Sequence, residues 1–469
     1  MEMPPKHVRF THTPLNFKNE EVRLLTIEPS VEPSSPIQVT MKHVDLSRHF
    51  AALVRYREEV ARNRAGLEQG MAMQDEFLQG MFDFTALSYT WGPESPAQDI
   101  LVTSADCRGW FSIRQNLFEF LTNRRNSSSA WFWIDQVCIN QGKDDEKAHQ
   151  VNQMTDIYSA ATVEVWLGCG FEGSDALVDL IFHESTLSSH QGSCVKLSLT
   201  KREMRAIIPS MRRLLQISYW SRLWIVQEIV LGRIINMRIG SKTISGDAFF
   251  SGWERLSRAR SHPDVRVDDN LRGGLRENNV DIRISWIGSQ RRTISSTFYT
   301  LGLVVWGSEC SDLRDSVYGA MGMIRPSLRI FPDYSLQPQE ILLILLTREA
   351  EGYRTGSQGW LPRDDFVNTA SQWFSQLGGY KNGINPRSVR RHLFELIPVW
   401  PPKFHCEHRK AWQLKLFLWW SIPNHRSMLW RFARVGTVPI YYVPVFIKYG
   451  IKAFKTTVPD ILFADSDST

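Results

Sequence analysis

The chain has 469 residues, of which 43% are hydrophobic and 22% are charged. These proportions are those of ordinary globular proteins, and they exclude a disordered or a fibrous chain. The length allows two or three domains, and a net charge of +6 is too small over this length to indicate a nucleic-acid-binding protein.

The six cysteines are scattered, and they form neither a CxxC pair nor a zinc-binding spacing. This pattern predicts a reducing compartment, so we expect a cytoplasmic protein. The lead-in, residues 1–20, contains no apolar run of the kind that a secretory signal needs. The most apolar stretch, VGTVPIYYVPVFI (435–447), carries two prolines and is shorter than the ~20 residues that span a bilayer, so we expect no membrane span.

The first half of the chain alternates between predicted strands and helices. The segments EVRLLTIEP (21–29) and IQVTMKHVDL (37–46) alternate as strands do, and residues 51–80 are expected to form an exposed helical insertion. A strand is predicted in FTALSYTWGPE (84–94), ending at Gly92-Pro93, and an amphipathic helix in IRQNLFEFLTNRR (113–125). The apolar run WFWID (131–135) predicts a buried central strand.

A helix over residues 144–161 and a strand over TVEVWLG (162–168) continue this alternation. Strands and helices that alternate at this spacing predict an α/β fold with a parallel sheet flanked by helices. Ligands of such sheets bind outside the carboxyl ends of the strands. The residues expected at that edge are Tyr89, Trp91, Gly92, Asp135, Asn140 and Gln141.

The second half is less regular. We expect a linker around STLSSHQGS (185–193), a helix over 199–216 and a helix over 312–323. We expect no glycine-rich nucleotide loop, neither a P-loop nor a GxGxxG fingerprint, and hence no nucleotide-driven switch within the chain. The cluster HCEH (405–408) has poor geometry for zinc, so no metal site is expected.

The last part of the chain is basic and rich in aromatic residues. Fourteen Lys and Arg residues lie between Lys381 and Lys455, against two acids, Glu395 and Glu407. Such a region can bind nucleic acid or an anionic membrane surface. We favour a mainly helical region with a solvated basic face, so that binding to nucleic acid or to a membrane is not expected.

Three groups of motifs occur in a characteristic order: ALSYTWG (86–92), FWIDQVCINQ (132–141) with QVNQMTDIYSAATVEVWLG (150–168), and YWSRLWIVQEI (219–229). This order resembles the heterokaryon incompatibility (HET) domain of filamentous fungi. EVRLLTIEP, DLRDSVYGAMGM (312–323) and FPDYS (331–335) are similar to further elements of that family. The resemblance implies a HET domain over residues 21–250, a helical extension over 251–350 and an uncharacterised region over 351–469.

HET domains are in turn distantly similar to Toll/interleukin receptor (TIR) domains, which have a flavodoxin-like sheet. LSYTWG and FWID resemble the first two TIR strands, and SRLWIVQEI resembles the TIR segment S-x-W-C-x-x-E. In enzymatic TIR domains the glutamate of that segment supports cleavage of NAD, and by position it is Glu228 here. The resemblance implies an effector of nonself recognition and programmed cell death, with Glu228 as catalytic residue, NAD or a related nucleotide as substrate and no required cofactor.

Breaking the bond between nicotinamide and ribose passes through an oxocarbenium-like state, which a carboxylate stabilises. The remaining edge residues are then expected to bind the substrate. The aromatic side chains of Tyr89, Trp91 and Trp224 can stack on the rings of the substrate, and Arg222 can bind its pyrophosphate. Asp135 and Asn140 can orient its ribose hydroxyls, and Gly92 is counted among the binding residues.

Each of these residues also has a structural interpretation. Trp224 can belong to the core, Glu228 can begin a helix or pair with Arg222, and Asp135 can end a strand in a turn. Cys138 is expected to be an inert small hydrophobe. The rival function is a non-enzymatic, self-assembling interaction module, and a third alternative is an inactive family member. In each active case we expect self-association and an incompatibility partner protein that the sequence does not identify.

Overall fold

The computed structural model of the protein describes residues 4–5, 7–63, 74–126, 130–187, 200–260, 275–291, 308–323, 329–338, 341 and 344–345. The chain divides into two units, Met1–Ile294 and Ser295–Thr469. The predicted helical C-terminal region (351–469), the HCEH cluster and most of the predicted 185–193 linker lie outside the described residues. The domain boundaries near 250 and 350 stay predictions.

The strands of the first unit form one sheet in the order β5-β4-β2-β1-β6-β3-β7-β8-β9. Their bounds are β1 (Glu21–Ile27), β2 (Gln38–Asp45), β3 (Thr85–Tyr89), β4 (Ala97–Thr103), β5 (Arg108–Arg114), β6 (Phe132–Trp133), β7 (Thr162–Trp166), β8 (Ile234–Ile239) and β9 (Lys242–Ser245). The predicted α/β fold with parallel strands is confirmed. The sheet is mixed, however, because β1 runs antiparallel to β2 and β6, and the hairpins β4-β5 and β8-β9 add antiparallel strands that were not predicted.

Four neighbouring strands, β6-β3-β7-β8, are parallel and form the centre of the sheet. Leu87 of β3 and Val163 and Val165 of β7 are buried, as expected for strands covered on both faces. The strand order reverses at β3, since β6 follows on one side of it and β7 on the other. The carboxyl ends of the four strands meet at one edge, and a reversal of this kind opens a crevice there.

Helices among the first unit's described residues flank or border this sheet. They are α1 (Ser47–Asn63), α2 (Gln115–Arg124), α3 (Asp135–Cys138), α4 (Asp144–Ala160), α5 (Ser174–Thr186), α6 (Lys201–Gln216), α7 (Ile225–Leu231), α8 (Gly246–Arg260) and α9 (Leu275–Gln290). The predicted helices over 113–125, 144–161 and 199–216 are confirmed as α2, α4 and α6. At the start of α6, Thr200 and Glu203 form a capping box, which satisfies two backbone N–H groups that a helix otherwise leaves unpaired.

The predicted exposure of the 51–80 insertion is wrong for its first part. In α1 the side chains of Ala52, Leu53 and Tyr56 are buried. Arg57 forms an ion pair of 2.6 Å with Asp156 of α4. The helix therefore packs one apolar face on the domain, and only the other face meets solvent.

The predicted central strand Trp131 to Asp135 is also shorter than expected. Only Phe132 and Trp133 have strand geometry, and Asp135 already begins α3. The carboxylate of Asp135 accepts the backbone N–H of Gln136 at 2.7 Å, which favours a helix start. The predicted linker is likewise preceded by an unpredicted helix, α5, which extends to Thr186.

In the second unit, two predicted family elements fold onto each other. The predicted helix over 312–323 is reduced to α10 (Asp315–Tyr318) and a 3₁₀ turn, Met321–Met323. The Tyr334 hydroxyl donates to Asp315 Oδ1 at 2.8 Å, and the Tyr318 hydroxyl donates to the Asp333 carbonyl at 3.0 Å. These bonds join DLRDSVYGAMGM to FPDYS. Within the described part of the chain, no helix is both long and apolar enough to cross a membrane.

Candidate functional site

The floor of the candidate site is a buried chain of three polar side chains. Glu228 lies in α7, which packs against β3 and α4, and is only 1% exposed. The Ser88 hydroxyl of β3 donates a hydrogen bond to Glu228 Oε2. Ser88 Oγ also lies 2.6 Å from the hydroxyl of Tyr219, and both residues are fully buried. The chain therefore connects the carboxylate to β3 and to the 3₁₀ turn Ser218–Ser221 that precedes α7.

Burial dominates the electrostatics of Glu228 and raises the pKa of its carboxyl to about 7. The positive charge of Arg222 and the hydrogen bond from Ser88 oppose this shift, whereas the charge of Asp135 adds to it. A carboxyl with such a pKa exists in both protonation states near neutral pH. This is the property that acid-base and charge-stabilising residues of active sites often have.

Arg222 lies at the rim of the site, half-buried, between two carboxylates. Its Nη1 donates to the Tyr89 carbonyl at the end of β3. Burial alone lowers the pKa of Arg222, but the charges of Glu228 and Asp135 outweigh burial and raise it. Among the described residues, Arg222 forms no direct ion pair with either acid, and its side chain bonds to the Tyr89 carbonyl instead.

Trp91 and Asp135 form the other side of the rim. The indole Nε1 of Trp91 donates to Asp135 Oδ2 at 2.8 Å. The guanidinium of Arg114 lies 5.1 Å from the Trp91 ring centroid and donates to the Gly92 carbonyl at 2.7 Å. Burial raises the pKa of Asp135, against the opposing effects of Arg222 and of the bond from Trp91.

Gly92 has a geometric reason to be a glycine. Its φ is +76°, and a Cβ at this position would lie 2.9 Å from Asn116 Nδ2. The left-handed conformation and the close approach both disfavour any side chain. The glycine therefore shapes the turn after Trp91, and whether it also contacts a ligand stays a prediction.

Three of the predicted residues make hydrogen bonds within the protein. Tyr89 is buried and its hydroxyl donates to Gln136 Oε1 at 3.1 Å, so its ring offers no stacking surface in this conformation. Trp224 is half-buried just before α7, where its carbonyl accepts the Glu228 N–H at 3.2 Å. Asn140 bonds through its backbone to Glu146 and through its side chain to the Gly142 N–H, so it belongs to the loop before α4.

Sequence reasoning missed Ser88 and Tyr219. Both stand inside quoted motifs, ALSYTWG and YWSRLWIVQEI, but nothing in the spacing shows that their hydroxyls meet. The expected helical extension over 251–350 includes α9, but the sequence did not show its contacts: Arg283 of α9 donates to the Arg222 carbonyl at 2.8 Å, and Arg291, directly after α9, donates to the carbonyls of Ile229 at 2.8 Å and Gly232 at 3.0 Å. These two arginines therefore hold both ends of the segment that carries Glu228.

The Cys138 thiol and the potential metal ligands are the alternative candidates for chemistry at this site. Burial raises the pKa of the Cys138 thiol to about 12, which keeps it protonated. In the described ranges, no three His, Cys, Asp or Glu side chains come together in a way that would hold a metal ion.

The expectation of no glycine-rich loop is wrong, because Gly168, Gly170 and Gly173 have the G-x-G-x-x-G spacing between β7 and α5. This loop borders a cleft of ≈ 460 Å³ lined by Cys169, Gly170, Phe171, Gly173, Ser174, Asp175 and Ala176. Tight packing accounts for two glycines, since a Cβ at Gly170 would lie 3.0 Å from Ser174 Oγ and one at Gly173 would lie 2.4 Å from Ser210 Oγ. The acid Asp175 lines the cleft and disfavours a phosphate there. The Glu228 cluster does not line this cleft.

Residues 84–228 match the family described as "Heterokaryon incompatibility protein (HET)". The similarity to HET domains thus lies in these residues, the same part of the chain whose motif order resembles that family, and Glu228 is the last residue matched. The chain is also similar to "Heterokaryon incompatibility protein 6, OR allele" of Neurospora crassa, with 29% identity over 310 residues, covering 54% of this chain and 45% of that protein. The chain thus spans less than half the length of this relative. No solved structure matches the chain.

Proposed function

We propose that this HET-domain chain is an effector of fungal nonself recognition and programmed cell death, and that it acts by hydrolysing NAD or a related nucleotide. The HET match and the printed name of the Neurospora crassa protein support the role in incompatibility. The likeness of the three motif groups to TIR domains supports the chemistry. The observation that carries it is Glu228, a buried carboxyl with a pKa of about 7, close to the charges of Arg222 and Asp135 at the carboxyl ends of the parallel strands.

In the proposed reaction, the bond between ribose and nicotinamide breaks, and water supplies the hydroxyl group of the ribose product and releases one proton to solvent. Nicotinamide leaves as a neutral ring, so no general acid is needed. The ionised Glu228 stabilises the positive charge that develops on the ribose. The guanidinium of Arg222 binds the pyrophosphate, and the half-exposed ring of Trp91 packs on a ring of the substrate.

The burial of Glu228 sets a condition on this activity. Because the side chain is 1% exposed, the segment from Arg222 to Gly232 has to move before a nucleotide reaches the carboxylate. We propose that self-association or binding of an incompatibility partner produces this opening. The proposed compartment is the cytoplasm, in accord with the four described cysteines, Cys107, Cys138, Cys169 and Cys310, which are free thiols.

The same burial favours a second candidate, a non-enzymatic module that signals by self-assembly. In that case Glu228 serves as a structural group that joins α7 to β3 through Ser88. The two candidates differ in one measurable respect, since a pure scaffold leaves NAD unchanged at any protein concentration.

The test measures NAD consumption, with identification of the products, by the purified full chain over a range of concentrations up to crowded conditions. Wild type is compared with Glu228→Ala and with the control Glu172→Gln, which changes a glutamate whose side chain is 91% exposed. Circular dichroism verifies that all three are folded. We expect nicotinamide release from wild type and from the control, and none from Glu228→Ala. Equal turnover in Glu228→Ala, or no turnover by any folded and assembled sample, contradicts the enzymatic proposal, and the second outcome favours the scaffold.

A further inference from the structure

The hydroxyl groups around Glu228 can be oriented from their chemistry. An ionised carboxylate only accepts hydrogen bonds, so the Ser88 hydroxyl has to donate to Glu228. A hydroxyl has a single hydrogen, and the Ser88 oxygen must therefore accept from Tyr219 at 2.6 Å. Two O–H groups thus point in sequence toward the carboxylate, and each bond in such a chain polarises the next.

This chain favours the ionised form of Glu228 over the neutral form. A hydrogen bond to a charged acceptor is roughly twice as strong as one between neutral groups. Protonation of Glu228 removes the charge and with it this gain. It also adds an O–H group to the carboxyl, and the hydrogen-bonded chain of Tyr219, Ser88 and Glu228 offers no further acceptor for it. Burial acts in the opposite direction, so the protonation state of Glu228 depends on the two hydroxyls.

Four other charged or titratable groups face Glu228. Arg222, just before α7, favours the ionised form, while Asp135 of α3 disfavours it. The other two are tyrosines whose hydroxyls take no part in the hydrogen-bond chain: Tyr89 of β3 donates to Gln136 Oε1 at 3.1 Å, and Tyr158 of α4 donates to the Leu87 carbonyl at 3.1 Å. Tyr158 is therefore a matched control, a buried tyrosine of the same cluster whose hydroxyl bonds elsewhere.

We propose that Ser88 and Tyr219 are positioning residues that hold the Glu228 carboxylate ionised and in one orientation at the proposed active site. The catalytic part of this statement rests on the proposed function. The control of ionisation does not, because it concerns only contacts within the folded domain. Ser88 connects the floor of the site to β3, and Tyr219 connects it to the turn that leads into Arg222.

The experiment measures the thermal unfolding midpoint of the full chain between pH 4 and pH 9. Each variant is studied with Glu228 present and in a Glu228→Gln background. The difference between the two unfolding midpoints at each pH then gives the contribution of the Glu228 carboxyl. Its pKa in the folded protein, about 7, lies above the unfolded value, so the folded state binds more protons between these values. Stability due to Glu228 is therefore highest at low pH and falls as the pH rises through about 7.

In Ser88→Ala the stability due to Glu228 should be lost only at higher pH than in wild type. The reason is that the proton affinity of Glu228 should rise at least about tenfold when the hydrogen bond from Ser88 is removed. Tyr219→Phe, which loses one oxygen atom, should shift the curve the same way by less. Ser88→Thr keeps a hydroxyl, so its pH dependence of the unfolding midpoint should stay close to that of wild type. Tyr158→Phe should leave this pH dependence unchanged. If Ser88→Ala does not fold, the comparison of Tyr219→Phe with Tyr158→Phe decides the question alone.

Equal curves for Tyr219→Phe and Tyr158→Phe, or a Ser88→Ala curve that coincides with wild type, overturn the proposal. The readout requires no turnover, so failure of NAD hydrolysis leaves it intact. If hydrolysis is observed, the acidic limb of kcat should move to higher pH in Ser88→Ala, because catalysis needs the ionised carboxylate. Hydrolysis with an unmoved acidic limb refutes the positioning role and leaves the catalytic role of Glu228 standing.

Discussion

The most informative perturbation of the fold is Arg23→Met, because Arg23 is a buried hub of the first unit. Arg23 and Glu146 form an ion pair of 2.6 Å with side-chain exposures of 0% and 2%. The guanidinium also donates to the carbonyls of Cys138, at 2.9 Å, and of Thr13, at 2.5 Å. One side chain thus joins β1, the lead-in and the helix that begins at Asp135.

The expected cost follows from what remains after the substitution. Glu146 keeps the Asn140 N–H at 2.7 Å but loses its cation, and the two carbonyls lose their donor. Removing one partner of a buried ion pair costs about 3–5 kcal/mol, since the other charge stays buried without compensation. That is a large part of the roughly 5–15 kcal/mol by which a domain is stable.

The pH dependence adds a second signature. Burial raises the pKa of Glu146, but the hydrogen bonds from Arg23 and from the Asn140 N–H outweigh burial and lower it. A lowered pKa contributes stability above the unfolded value, and this stability is lost as the pH falls through the folded value. Arg23→Met should therefore flatten the loss of stability on acidification.

The assay is urea unfolding of wild type, Arg23→Met, Glu146→Leu and the double variant. The double variant should cost less than the sum of the single ones, because no unpaired charge remains in it. Lys242→Met breaks an exposed pair with Asp179 and serves as the control, for which we expect little change. Small and additive effects of Arg23→Met and Glu146→Leu would refute the reasoning.

Three further predictions concern single contacts. Arg291→Ala should destabilise the first unit by about 1–3 kcal/mol in urea unfolding, because carbonyls at the end of α7 lose their donor. Gly92→Ala should cost about 1–2 kcal/mol in the same assay, because of its positive φ and the approach of Asn116 Nδ2 at 2.9 Å. Tyr334→Phe should cost about 1–3 kcal/mol in thermal unfolding of the second unit, since the buried Asp315 loses a bond of 2.8 Å. A change below about 0.5 kcal/mol in any of them contradicts the corresponding contact.

The sequence predicted the candidate site in part, and the residues show where prediction stops. Tyr89, Trp91 and Asp135 were expected at one edge because they follow predicted parallel strands, and the structure places them there. Glu228 was chosen by resemblance alone. Asn140 was also expected there, and the structure shows its side chain accepting the Gly142 N–H, a loop contact that no periodicity in the sequence predicts.

The amino-acid sequence by itself determined the parallel core, most helices and the similarity to HET domains, because these depend on local hydrophobic period, turn residues and motif order. Only the tertiary structure decided that the sheet is mixed, because a short strand has the same sequence pattern whether it pairs in a parallel or an antiparallel direction. It also decided that Ser88 bonds to both Glu228 and Tyr219, which lie 140 and 131 residues away in the sequence. Contacts of this kind arise when β3 and α7 pack face to face, so they depend on the whole fold rather than on any segment.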